Sequence, residues 1–85
     1  MIELDKGQVI YFLERHEYRR LVHFYYMERG KYKMNFEDFD AAIVMWNVVN
    51  RCNISDIENK VINYYKEKFE IKETFDNQGK FLSYI

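Results

Sequence analysis

Residues 36–52 read FEDFDAAIVMWNVVNRC, and this stretch decides how the 85-residue chain folds. At helical spacing, Phe39, Ala42, Ile43, Trp46 and Val49 share one stripe. Ala41, Val44, Met45, Val48 and Cys52 form a second on much of the opposite side, leaving Asp40, Asn47 and Arg51 as a narrow polar seam. A helix apolar around most of its circumference is normally a core helix covered on several sides. The other elements are therefore expected to pack around it, with Trp46 buried near its middle. Its 17 residues fall short of the ~20 a membrane span needs, and Asp40 and Arg51 interrupt them.

Start and stop signals flank this stretch. Asn35 can cap it with Asp38 at the third position, Met34 and Phe39 can form a hydrophobic staple, and Glu37, Asp38 and Asp40 favour the positive helix end. Downstream, Asn53-Ile54 breaks the pattern and Ser55-Asp56-Ile57-Glu58 offers a Ser-x-x-Glu capping box. The spacing predicts a helix from Asp56 to about Phe69 that buries Ile57, Val61, Ile62, Tyr65 and Phe69. Beyond it the periodicity turns to alternation. Phe69, Ile71 and Phe75, then Phe81, Leu82, Tyr84 and Ile85, flank Asp76-Asn77-Gln78-Gly79, which reads as a β-hairpin.

Upstream, Glu17 to Arg29 reads as a helix with Tyr18, Leu21, Phe24 and Tyr25 inside and Gly30 as its C-terminal cap. The stripe of Val9, Phe12, Leu13 and His16 does not continue in phase into it, so a break is expected near Arg15–Glu17. Lys31 to Met34 is a short connector. For residues 1–14 two patterns compete. Asp5 with Gln8 suits a helix from about Lys6 to Arg15, whereas Ile2–Leu4 and Val9–Phe12 suit a hairpin; the helix is favoured. The expected fold is one mainly helical α+β domain, with three or four helices around 36–52 and a C-terminal hairpin.

Composition narrows the function classes. Sixteen aromatics, eight of them Tyr, exceed what one small core needs, so some rings should face solvent. A single cysteine allows no internal disulfide and no Cys-based zinc site. The first residues, MIELDKGQVI, lack the features of a signal peptide, so a cytoplasmic protein is expected. No phosphate-binding glycine loop, His-Glu-x-x-His or Gly-x-Ser-x-Gly occurs. His16 and His23, seven apart with Arg20 between them, make a poor metal pair and are expected at the surface. No catalytic residue, cofactor or metal site is expected.

Two features rise above background. Residues 15–33 carry six cations against two carboxylates, while residues 34–58 carry five carboxylates against one cation. Arg15, Arg19, Tyr26 and Arg29, with Arg20 and His23 beside them, are expected to form a partner-binding face. Second, the element order resembles that of a winged helix-turn-helix domain. In that arrangement Asn59, Lys60, Asn63 and Tyr64 on the recognition helix, with Lys72 and Lys80 on the wing, would contact nucleic acid. Asp56, Glu58 and Glu67 on the same helix would oppose phosphate. The favoured expectation is a small non-catalytic binding protein acting on another protein, a regulator or inhibitor of the kind phages and mobile elements carry. The alternative is a winged-helix nucleic-acid binder.

Overall fold

A computed structural model describes residues 3–30 and 33–85. Four helices, α1 (Lys6–Glu14), α2 (Tyr18–Glu28), α3 (Phe36–Asn50) and α4 (Ile54–Lys68), precede an antiparallel hairpin of β1 (Glu73–Phe75) and β2 (Phe81–Tyr84). The class is mainly helical α+β, as the sequence predicts. Lys31 and Tyr32 of the expected connector, and Ile2 of the alternative N-terminal hairpin, lie outside the described residues.

The N-terminal segment is helical because its cap is complete. Asp5 Oδ1 accepts from the Gln8 N–H at 2.8 Å, and Gln8 Oε1 accepts from the Asp5 N–H at 3.0 Å. Two N–H groups that the helix itself leaves unpaired are thereby satisfied. The expected break between α1 and α2 falls at His16, which takes φ +58. The Glu17 N–H reaches back to the Phe12 carbonyl at 2.9 Å, the closure of a left-handed helix end. Gly30 ends α2 with φ +67, a conformation glycine adopts without steric cost.

At α4 the cap differs from expectation. Asn53, not Ser55, is the capping residue: its side chain accepts from the Ser55 N–H at 2.9 Å, and the helix starts at Ile54. An Asn placed two residues earlier reaches the first free N–H groups, leaving the Ser55–Glu58 box inside the helix. Asn53→Ala should therefore cost about 1 kcal/mol in chemical denaturation, while Ser55→Ala should stay within about 0.5 kcal/mol. Equal losses would return the cap to Ser55.

The hairpin is closed by a side chain as well as by its ladder. Asp76 Oδ1 accepts from the Gln78 and Lys80 N–H groups, each at 2.8 Å, and Gly79 takes φ +79. Lys72 and Ile85 exchange backbone bonds at 2.9 Å, and Lys66 Nζ binds Glu73 Oε1 at 2.7 Å, fastening the hairpin to α4.

The core runs through Leu4, Val9 and Leu13, Leu21 and Val22, Phe39, Val61 and Tyr65, and Ile71. Helix α2 packs against α1, α3 and α4, most extensively against α4, through Tyr25–Tyr64 and Tyr25–Tyr65 edge contacts. The expectation that α3 is a buried core helix is corrected here. Phe39 is its one buried residue, and Trp46 is 51 % exposed. The other three helices supply most of the buried residues, so α3 adds Phe39 and buries only one side.

Candidate interaction surface

The side of α3 that faces the domain is not the most apolar one. Phe39 and Ile43 pack against the core, and the polar seam sits beside them: Asp40 meets Arg19 Nη1 at 3.1 Å, and Asn47 is half-buried with its Oδ1 out of solvent. Asp40 and Asn47 of the seam thus lie on the inner flank of the helix, while Arg51, at its end, is exposed. Val44, Met45, Val48 and Val49 are turned outward, the last three exposed by 69, 72 and 75 %. Helical spacing puts Ala41, Met45 and Val48 opposite Ile43. A trough of about 750 Å³ runs along one flank of this face, bounded by Phe36, Glu37, Val44 and Val48 and by Arg20, whose guanidinium lies 4.0 Å from the centre of the Phe36 ring.

Exposed apolar side chains scattered singly are ordinary, but contiguous ones mark interaction sites. The hairpin also exposes Phe75, Phe81, Leu82 and Ile85. There, however, Phe75 and Phe81 make a cross-strand pair at 6.2 Å, and Phe81 and Tyr84 lie at 4.9 Å.

The residues of the basic segment turn to different neighbours. Arg15 lies past the end of α1, 3.4 Å from Glu17 Oε1 and 5.3 Å from the Tyr11 ring centre. Arg19 turns to α3 and Arg20 to Phe36. Arg29 covers Tyr25 at 3.4 Å and Tyr64 at 4.9 Å, and also donates to the Tyr25 carbonyl at 2.8 Å. Tyr26 lies between Tyr25 at 5.3 Å and Phe39 at 6.1 Å. His23, expected at the surface, is buried at 6 % exposure: its Nε2 bonds the Met34 carbonyl at 2.8 Å and its ring packs on Phe39. The aromatic residues at the start of α3 wall it in. His16 is exposed as expected, with Nδ1 2.7 Å from the Tyr18 hydroxyl.

On α4, Asn59, Lys60 and Asn63 share an exposed side, while Tyr64 is half-buried between Arg29 and Lys68. Lys72 and Lys80 are exposed on the hairpin segment. Exposed Asp56 and Glu67 stand on the same helix.

Two phenols have displaced titrations. Burial, reinforced by the neighbouring Glu28 carboxylate, pushes Tyr65 well above its usual 10. Burial also raises Tyr84, despite Lys66 nearby. Among the described residues no group of three His, Cys, Asp or Glu side chains could hold a metal ion, and no helix is long and apolar enough to cross a membrane.

The residues of the outer α3 face were visible in the sequence but were assigned to the core. The signal that could have separated them is the 4-3-4 spacing of Ala41, Met45, Val48 and Cys52, the seam of a helix that packs on another helix. No family model, curated protein or solved structure matches the chain, so its surface must carry the functional argument.

Proposed function

We propose that this chain is a small non-catalytic protein-binding module, a regulator or inhibitor, whose contact surface is the outer face of α3. One observation carries the proposal: the most apolar helix turns the polar Asp40 and Asn47 inward and presents Met45, Val48 and Val49 to solvent. Leaving such a face bare costs roughly 25 cal/mol for each Å² that a partner could cover, a strong drive to association. Arg20, stacked on Phe36 at the trough's edge, supplies a rim cation of the type enriched in interfaces. The remaining basic-segment residues contribute to the fold rather than to one docking face.

A nucleic-acid function would instead use Asn59, Lys60 and Asn63, which α4 does expose. The carboxylates beside them oppose phosphate, and counterion release requires several unopposed cations. The chain is therefore expected not to bind duplex DNA even at ~50 mM salt.

Site-specific cross-linking tests both readings. A benzophenone side chain replacing Val48, in cells that carry the protein, should give a discrete polypeptide adduct on irradiation. The same group replacing Lys60 should give none. Nucleic-acid adducts at position 60 with a silent position 48 would replace the proposal with the alternative.

A further inference from the structure

We infer that the occupant of the outer α3 face is a second copy of this chain, docked antiparallel on the same helix about a twofold axis at Val44. This rests on the α3 docking surface proposed above and names its partner.

The seam comes first. Ala41, Met45 and Val48, spaced by four and then three along α3, form a short seam that meshes with an identical helix crossing at a shallow angle. Ala41 is small enough to let two backbones approach. The face is also self-complementary in length, since α3 ends at Asn50 and its apolar stretch is centred near Val44 and Met45.

Charge then selects orientation. Glu37 and Val44 on one flank of the seam, and Arg51 at the C-cap of α3, are seven residues apart and all exposed. Among the described residues, neither Glu37 nor Arg51 takes part in an ion pair. In an antiparallel pair centred on Val44, Glu37 of each copy meets Arg51 of the other, while the two Val44 side chains meet at the axis. A parallel pair would set Glu37 against Glu37 and Arg51 against Arg51, which is repulsive. Opposing helix dipoles favour the antiparallel arrangement as well.

The area is sufficient. One face of a 15-residue helix from each copy with its charged rim places the interface at the lower end of specific interfaces, about 1,000–1,200 Å² in total. That size suits a dimer forming at micromolar concentration.

Sedimentation across ~1 μM to 1 mM is the test, with circular dichroism confirming helix content in each variant. The parent should shift from monomer to dimer, and Val48→Asp should remain monomeric at every concentration. Glu37→Arg and Arg51→Glu should each weaken self-association by about tenfold or more. Mixing those two variants should restore dimer, because the mixed pair regains both opposite-charge contacts. The mixing arm uses the same folded molecules as the single-variant arms, so a change in stability cannot imitate it.

A parent that stays monomeric, or a dimer indifferent to Val48→Asp, overturns the inference. Failure of the mixture to associate more strongly than either variant alone overturns the antiparallel register. Cross-linking from position 48 separates the two levels. An adduct at twice the 10.6 kDa chain mass supports the self-pair. An adduct of another mass beside a monomeric parent removes the self-pair and leaves the protein-binding proposal, and no adduct removes both.

Discussion

Leu21→Ala should cost about 3–5 kcal/mol and leave much of the chain unfolded at room temperature. Leu21 is fully buried on α2, the helix that touches the other three. Its removal opens a cavity in the core, and close-packed surroundings relax only partly around such a hole. A domain of this size has only ~5–15 kcal/mol of stability to lose. Trp46→Ala is the instructive contrast. A buried tryptophan would cost as much as Leu21 or more, but Trp46 is half exposed on α3, so the expected loss is at most about 1 kcal/mol in the monomer. Urea denaturation of both variants decides which helix is the hub. If Trp46→Ala proved the more damaging, α3 would be central after all.

Alkali should destabilise the protein steeply, and Tyr65→Phe should remove much of that sensitivity. Tyr65 is completely buried on α4 beside Glu28, and its hydroxyl has no hydrogen-bond partner among the described residues. Burial first, and the carboxylate second, hold its folded-state pKa above the unfolded value of 10. Below pH 10 both states keep the proton and stability is unaffected. Above pH 10 the unfolded chain loses a proton that the folded chain retains, so stability falls by up to about 1.4 kcal/mol per pH unit for this group. Tyr84, also raised, adds a smaller loss of the same sign. At neutral pH Tyr65→Phe removes a buried unpaired hydroxyl and should be neutral or slightly stabilising. Melting temperatures of parent and variant should therefore nearly coincide at pH 7 and separate above pH 10, the variant being more stable. Parallel decline of both would place the alkaline sensitivity elsewhere.

Local chemistry was legible in the sequence wherever partners lie close along the chain. Asp5 and Gln8 are three residues apart and capped α1; Asn35 capped α3 through the Asp38 N–H at 2.8 Å; Asp76 and Gly79 closed the hairpin. The break at His16 followed from two apolar stripes that do not share a phase. Each feature needs only short-range geometry, and the chain itself supplies it. At α4 the Ser-x-x-Glu spacing pointed to Ser55, whereas Asn53 is the cap.

The surface was less legible for a physical reason. An apolar stripe states that water is unfavourable there, but not which neighbour removes the water. Core, dimer partner and foreign partner satisfy Met45, Val48 and Val49 equally well on the page of a sequence. Likewise, Arg19 and Arg29 share an outer stripe in projection, yet one turns to Asp40 on α3 and the other to Tyr64 on α4. Long arginines reach whatever the neighbouring helix presents. By itself, then, the sequence determined a mainly helical chain, most of its caps and breaks, and the hairpin, because the hydrogen bonds there join residues close along the chain. Only the tertiary structure decided that α2 is the hub, that His23 lies inside and that α3 shows its apolar face to solvent. Those outcomes depend on which helix faces fill the single available core first, and that competition is settled between elements far apart in the chain.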